Sequence, residues 1–352
     1  MVPALAVADA LRAEGAEVSF IGARGRLETE LVPAAGYELD LLDITGIDRG
    51  KPLKAAAAAA RATRAVPAAR AILRRRAPGA VMGGGGYVAG PAGLAALWLG
   101  LPLVLTEADR HLGLANRLLA RRARRVCLAF PIPGLDADRF VLTGRPVPAA
   151  ILKADRGRAR ERFGIDPDRP CLLVFGGSQG ARSINLAALD AFVGESVGAA
   201  AAAGARAFHV LHISGHRDHA DARDRVAARA PAHYTLLAYE PDLGDALAAC
   251  DLVLARAGGS IFELAAAGRP AILVPYPHAT ADHQRANAEW MAAAGAATVI
   301  DDEALDASRL AREAAELLGD GPRLERMARA AASLARPDAA RLVASEILSV
   351  CK

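Results

Sequence analysis

Residues 171–185, CLLVFGGSQGARSIN, decide how the rest of the chain is read. Five apolar residues run straight into Gly176-Gly177-Ser178-Gln179-Gly180, and a helical pattern starts near Ala181. A short apolar run without alternation marks a strand covered on both faces, as in a parallel sheet packed between helices. Glycines let a backbone approach a ligand closely, and the free N–H groups of a helix start point at it. A diphosphate fits such a turn. The spacing matches neither the Walker A loop nor the dinucleotide fingerprint. Taken alone, it is also what an ordinary strand-to-helix turn looks like.

Two further stretches repeat this grammar. In DLVLARAGGSIFELAAAGRPAILVP, residues 251–275, a strand enters Arg256-Ala257-Gly258-Gly259-Ser260 and a helix follows. Glu263 falls in the first turn of that helix. Two readings stay open for it: a carboxylate placed by the helix dipole, or an acceptor for two neighbouring ribose hydroxyls. The third stretch, Pro277-His278-Ala279-Thr280-Ala281-Asp282-His283-Gln284, is a polar loop between a strand and a helix. No partner with ligand spacing completes a site around His278 and His283, so no metal is expected.

Working outward, strands are predicted at 37–42, 80–82, 103–106, 126–130 and 140–142 in the first half. In the second half they fall at 171–175, 206–214, 234–238, 252–255, 271–275 and 297–300, with helices between. Gly144-Arg145-Pro146-Val147-Pro148 interrupts the pattern and reads as a linker. The fold class is α/β: two doubly wound, Rossmann-like domains facing each other across a cleft. The first covers 1–145, with a last helix in 337–352 packing back on it after Pro337. The second covers 146–336.

Composition narrows the class. The 352 residues are 53% hydrophobic and only 4% aromatic, so the cores are small aliphatic contacts. The four cysteines form no CxxC pair, and Cys127, Cys171 and Cys250 adjoin apolar runs, as buried free thiols in a reducing cytosol do. No signal peptide is visible, and the uncharged interval 77–106 is broken by GGGG at 83–86, Gly90-Pro91 and Pro102, which argues against a membrane helix. The net charge is +4, unevenly spread. No acidic residue lies between Asp48 and Glu107, whereas Arg49, Lys51, Lys54, Arg61, Arg64, Arg70, Arg74, Arg75 and Arg76 cluster there, and Arg121, Arg122, Arg124 and Arg125 follow. Such clusters suit an anionic membrane surface or a solvated helix face. They lack the interleaved aromatics of nucleic-acid binders, so no nucleic acid is expected as a partner.

The chain opens on VPALAVADALRAEG, a helix with Pro3 in its first turn and Leu5, Val7, Ala8 and Leu11 at helical spacing, followed by a strand. That is the second half of a βαβ unit.

Together these stretches resemble the MurG family of GT-B glycosyltransferases over essentially the whole chain. The resemblance is carried by VPALAVADALRAEG, GGGGYVAGPAGLAALWLGLPLVLTEAD, GLANRLLARRARRVCLAF, GGSQGARSIN and ELAAAGRPAILVPYPHATADHQRANA. It implies an inverting transfer of N-acetylglucosamine from UDP-N-acetylglucosamine to the muramyl 4-hydroxyl of lipid I, giving lipid II for peptidoglycan, without a required metal. It places Gly177, Ser178 and Gln179 at the donor diphosphate, Glu263 at the ribose, Gly258, Gly259 and Ser260 beside it, and His283 and Gln284 at the sugar. It further implies a peripheral location at the cytoplasmic face of the plasma membrane, with other cell-wall or division proteins as partners.

The sequence departs from the family pattern in several places. The family's EQN is Glu107-Ala108-Asp109, putting a carboxylate at Asp109 where an amide is expected near the sugar. GNPVR is Gly144-Arg145-Pro146-Val147-Pro148, leaving Arg145 to reach the phosphate. The glutamate-bearing loop is one residue shorter. The family's first strand and a glycine loop ending in histidine, the favoured catalytic group, would precede Met1, so a misplaced start or a fragment is expected. Rival readings are another GT-B UDP-sugar transferase or epimerase, and a truncated, inactive UDP-sugar-binding scaffold.

Overall fold

Helices and strands alternate along the chain, and all the paired strands described are parallel. The structure is a computed structural model. It describes the chain except residues 27, 45–51, 178–179, 194–207, 230, 280–281 and 352, and the side chains of 52–63 and 87. Two compact units divide it: Met1–Pro148 with Arg336–Lys352, and Ala149–Ala335.

The first unit opens with α1 (Val2–Ala13), β1 (Ser19–Ala23), α2 (Glu28–Ala34), β2 (Glu38–Leu42) and α3 (Pro52–Arg76). It continues with β3 (Val81–Gly83), α4 (Gly86–Trp98), β4 (Leu103–Glu107), α5 (Leu114–Leu119), β5 (Arg125–Leu128) and β6 (Phe140–Leu142). Val7 and Leu11 of α1 pack with Val104 and Cys127 on one face of the β3–β6 sheet. Leu103, Leu105, Leu119 and Val126 fill the other. The strands form two sheets, β1-β2 and β3-β4-β5-β6, rather than one doubly wound sheet. Helix α4 packs against both β1 and β3.

Two details depart from the sequence reading. Helix α4 starts at Gly86 and carries Pro91 inside it, where the sequence suggested a break at Gly90-Pro91. Gly85 and Gly86 take positive φ (77° and 74°) and turn the chain into the helix early, and proline costs it the hydrogen bond to the Tyr87 carbonyl. The basic run also gains acidic partners. Arg75 donates to Asp40 (2.6 Å), and Arg76 pairs with Asp40 (2.8 Å) and Glu38, acids from β2 ahead of the acid-free interval. Arg49 and Lys51, and the side chains of Lys54 and Arg61, lie outside the described residues.

The second unit holds α6 (Ala149–Lys153), α7 (Arg156–Phe163), β7 (Cys171–Phe175), α8 (Arg182–Phe192), β8 (His209–Ile213), α9 (His219–Ala227), β9 (Tyr234–Leu237), α10 (Leu243–Ala249) and β10 (Leu252–Ala255). After these come α11 (Ile261–Ala266), β11 (Ala271–Leu273), α12 (His283–Ala293), β12 (Ala297–Val299), a 3-10 turn (Asp302–Ala304), α13 (Ala307–Gly319) and α14 (Gly321–Ser333). Its sheet order is β12-β11-β10-β7-β8-β9. All residues of β7, β8 and β10 are buried, because helices cover both faces. The chain then returns to the first unit as α15 (Ala339–Leu348), whose Val343 and Ile347 pack with Val7 and Leu11 of α1.

Candidate functional site

The sheet order of the second unit contains its own pointer. From β7 the chain winds outward through β8 and β9 on one side, and from β10 through β11 and β12 on the other. Strands β7 and β10 are hydrogen-bonded neighbours, with Val174 opposite Leu254 and Phe175 opposite Ala255. Strand order therefore reverses between them. In open α/β sheets a ligand binds in the crevice at the carboxyl ends of the strands at such a point.

Both glycine turns emerge there. Gly176 follows β7 so tightly that a Cβ on it would stand 2.3 Å from the Ala181 nitrogen. Gly180, at φ 76°, would bring a Cβ within 2.2 Å of the Ser214 carbonyl oxygen. A Cβ on Gly177, at φ 87°, would meet nothing within 4 Å among the described residues. Ser178 and Gln179 lie outside the described residues. Helix α8 starts at Arg182 with no side chain capping its first N–H groups. Those donors, with the dipole of an eleven-residue helix, favour an anion in the turn.

Below the turn, Asn185 is buried on α8. Its Nδ2 donates to the Ser214 carbonyl (2.8 Å) and to Asp218 Oδ2 (2.9 Å). Its Oδ1 faces His212 Nε2 (3.0 Å), and His212 Nδ1 faces the Tyr234 hydroxyl (2.6 Å). Burial pushes the His212 pKa down to about 3, so the imidazole is neutral. Since Asn185 Oδ1 only accepts, the network assigns the ring proton to Nε2. The chain of bonds holds the end of β8 against Gly180.

The second turn, Arg256 to Ser260, follows β10. Glu263 sits half-buried in the first turn of α11, two residues past Ile261. Gly258 lies beside Gln284, whose Nε2 would be 3.9 Å from a Cβ on that glycine. Gln284 Oε1 accepts from the Tyr276 N–H (2.9 Å), and Asn287 Nδ2 donates to the Ala257 carbonyl (3.0 Å). Thus α12, which begins at His283, is tied to both the β10 and β11 turns. Asp282 caps it in the left-handed region at φ 51°. At the ends of β8 and β9, the rings of His216 and Tyr239 stack 5.5 Å apart, both exposed.

Asp109 and Arg145 belong to the first unit. Asp109 stands on a loop built around Glu107. Glu107 Oε1 accepts from the Ala108 and Asp109 N–H groups (3.0 and 3.2 Å). Its Oε2 accepts from the Gly113 N–H (2.8 Å) and Asn116 Nδ2 (2.9 Å). Four donors leave this buried carboxylate little capacity for anything else, so it shapes the loop. An open cavity of about 330 Å³ adjoins it, lined by His111, Leu112, Gly113, Leu114 and Arg117. Among the described residues no group of three or more His, Cys, Asp or Glu is placed to hold a metal.

The sequence reading thus placed Gly258, Ser260, Glu263, His283 and Gln284 on adjoining segments of one unit. It passed over Glu107, Asn185, Asn287, Tyr276 and the His216–Tyr239 pair. Asn185 closes the quoted stretch 171–185, so its position in the helix's first turn was the available signal. The pairing of His216 with Tyr239 follows from β8 lying beside β9 and left no local mark.

Two parallel-sheet α/β units, one with glycine turns at its switch point, define the GT-B class of glycosyltransferase. Residues 1–128 match the glycosyltransferase family 28 N-terminal domain, and residues 171–343 match its C-terminal domain. The chain is 42% identical over 347 residues to the UDP-N-acetylglucosamine--N-acetylmuramyl-(pentapeptide) pyrophosphoryl-undecaprenol N-acetylglucosamine transferase of Rubrobacter xylanophilus, covering 97% of this chain and 98% of that one. It is 44% identical over 345 residues to the protein of the same name from Halorhodospira halophila, covering 97% and 93%. The crystal structure of Acinetobacter baumannii MurG superposes with a TM-score of 0.73 at 29% identity, over 99% of this chain and 95% of that one. The chain belongs to glycosyltransferase family 28 and, within it, to the MurG family.

Proposed function

We propose that this protein transfers N-acetylglucosamine from UDP-N-acetylglucosamine to the muramyl 4-hydroxyl of lipid I, forming lipid II for peptidoglycan synthesis. The observation that carries the donor half is the pair of glycine turns at the switch point between β7 and β10, with Glu263 on the helix after the second. The diphosphate takes the turn at Gly176–Gly180, Ser178 and Gln179 included, under the uncapped start of α8. Glu263 accepts from the two ribose hydroxyls, with Gly258, Gly259 and Ser260 alongside. His283 and Gln284 meet the sugar. The exposed ring pair His216–Tyr239 offers a stacking face for the base.

In an inverting transfer the acceptor oxygen bonds to the anomeric carbon on the face opposite the diphosphate, the anomeric carbon–oxygen bond to UDP breaks, and the acceptor's hydroxyl proton passes to a base or to solvent. Charge then develops on the leaving diphosphate. The preorganised N–H groups of the α8 turn stabilise it without reorganisation.

The first unit receives the acceptor. Gly85 and Gly86 lead into the thirteen-residue helix α4, whose N-terminus suits the acceptor's diphosphate, and Asp109 and Arg145 are polar groups of the same unit. Its membrane contact is the face shared by α4 and α5. Leu94, Trp98, Leu114 and Leu118 are exposed there, Trp98 at 63% and Leu118 at 71%, and Arg117, Arg121, Arg122 and Arg124 flank them. Apolar side chains entering the interface beside cations suit an anionic leaflet. Among the described residues no helix is long and apolar enough to cross a membrane. The location proposed is peripheral, on the cytoplasmic face of the plasma membrane, serving wall growth, cell shape and division.

The test is transfer of labelled N-acetylglucosamine from UDP-N-acetylglucosamine to purified lipid I. Labelled lipid II is the expected product. Conversion of the donor to its 2-epimer, or transfer only to a different acceptor, would replace this reading with another GT-B activity.

A further inference from the structure

Arg256 is a heavily engaged side chain at the carboxyl edge of the six-stranded sheet, and no step above uses it. Its side chain is 12% exposed. Nη1 donates to Asp302 Oδ1 (2.6 Å) and to the Val274 and Pro275 carbonyls (3.2 and 3.3 Å). Nη2 donates to Ser183 Oγ (2.8 Å), which itself donates to Asp302 Oδ1 (2.7 Å). The Tyr276 ring centroid lies 5.4 Å from the guanidinium carbon. One planar group therefore joins the exits of β10 and β11, the 3-10 turn after β12, and the first turn of α8.

These are the segments that separate parts of a sugar nucleotide would meet. Ser183 stands in the first turn of α8, just past the glycine turn. Tyr276 donates its N–H to Gln284 Oε1, which ties the other end of the network to the start of α12. Arg256 also immediately precedes Ala257, whose carbonyl holds Asn287.

We infer that Arg256 is a positioning residue that couples the diphosphate turn to the sugar-recognising loop, so that an occupied diphosphate site and a correctly placed Gln284 reinforce one another. The inference rests on the donor-site reading above. It requires the fork, because an ammonium reaches Asp302 as a point charge but cannot bond Ser183 and two carbonyls at once.

The experiment measures Kd for UDP and for UDP-N-acetylglucosamine by calorimetry, on the full chain and on Arg256→Lys, Gln284→Ala and the double variant. The readout is the ratio of the two Kd values, that is, the gain in affinity the sugar adds. Arg256→Lys is expected to shrink that gain roughly tenfold. The double variant should lose little beyond Gln284→Ala, since contacting residues of one network are non-additive. Arg160→Lys is the control for a merely structural role. Arg160 is equally committed, to the Ala249, Asp166, Pro167 and Arg169 carbonyls and to Asp251, but away from these turns, and its loss should lower Tm without moving the ratio. An unchanged ratio in Arg256→Lys, additive losses in the double variant, or the same change in Arg160→Lys overturns the inference and leaves the donor site standing. Absence of UDP binding by the unsubstituted chain overturns both.

Discussion

Glu263 and Arg256 are seven residues apart, yet only Glu263 is singled out by its surroundings in the sequence. Glu263 stands in a local pattern, a strand, a small-residue turn and a helix start, which leaves two readings open, and the family resemblance is what points to the ribose. Glu263→Ala should remove two charge-assisted hydrogen bonds to the ribose, each worth about 1.5–3 kcal/mol, and weaken UDP binding at least tenfold in a folded protein. Calorimetry that found equal affinity would place the ribose elsewhere. Arg256 shows nothing locally, because its side-chain partners Ser183 and Asp302 lie 73 and 46 residues away and meet it only after the sheet is built. The buried histidines of β8 make a second residue-scale case. Burial, with Arg169, His233 and Arg160 nearby, pushes His209 down to about 4, and burial pushes His212 to about 3. The unfolded chain takes up these protons near pH 6.5 and the folded chain only well below. The stability conferred by the neutral rings is therefore complete above pH 6.5 and falls as pH drops toward the folded values. Each histidine contributes a slope of up to about 1.4 kcal/mol per pH unit. Urea unfolding between pH 7 and 5 should show that slope, and His209→Gln should flatten it by one histidine's share. Parallel pH profiles for the two proteins would mean that His209 takes up its proton in the folded state as it does in the unfolded chain.

At the scale of elements, apolar runs and glycine turns made the second unit legible, while edges of helices and pairing of strands in the first were not. The run at 171–175 coincides with β7 because both faces are covered and no residue there has a reason to be polar. The interval 77–106 carries two opposed signals, and the helix signal of its small apolar residues outlasted the proline, so α4 spans Pro91. The glycine turn after β7 separates two kinds of glycine. Gly176→Ala sets a methyl against the Ala181 backbone nitrogen at 2.3 Å, which cannot move without unseating the start of α8. It should abolish measurable UDP binding. Gly177→Ala meets nothing among the described residues and bears the left-handed backbone cost of about 1 kcal/mol, so it should bind UDP with a modest loss. Equal binding by the two variants would show that turn geometry is not what holds the diphosphate. The α4–α5 face gives a further test. Replacing Trp98 and Leu118 together by alanine should lower binding to anionic vesicles at every salt concentration. Replacing Arg121 and Arg122 should lower it mainly at low salt, since screening sets in over about 10 Å at 0.1 M. Vesicle sedimentation that ignored both changes would move the membrane contact off this face.

For the molecule as a whole, the Pro-rich segment 144–148 and Pro337 mark where the chain passes between units, at Pro148 and Ala335. Proline disfavours continuation of either sheet or helix, which is why these crossings left a trace in the sequence. The close fit at the first crossing left none. Gly144, at φ 81°, lies against Arg336, so closely that a Cβ would stand 2.5 Å from the Arg336 Cβ. Each unit has its own core, so calorimetry should resolve two transitions. Saturating UDP should raise only the one belonging to Ala149–Ala335, by about 2.7 kcal/mol of added stability at a hundredfold excess over Kd. A shift of both transitions together would mean the units unfold as one. The packing of α15 on α1 has a consequence of another kind, in time. The helix that covers Val7 and Leu11 is translated only after the whole of the second unit. A ribosome adding about 5–20 residues per second needs roughly ten to forty seconds to make the intervening unit. Throughout that interval the nascent first unit waits with that face of α1 bare, a window in which a chaperone has reason to hold it.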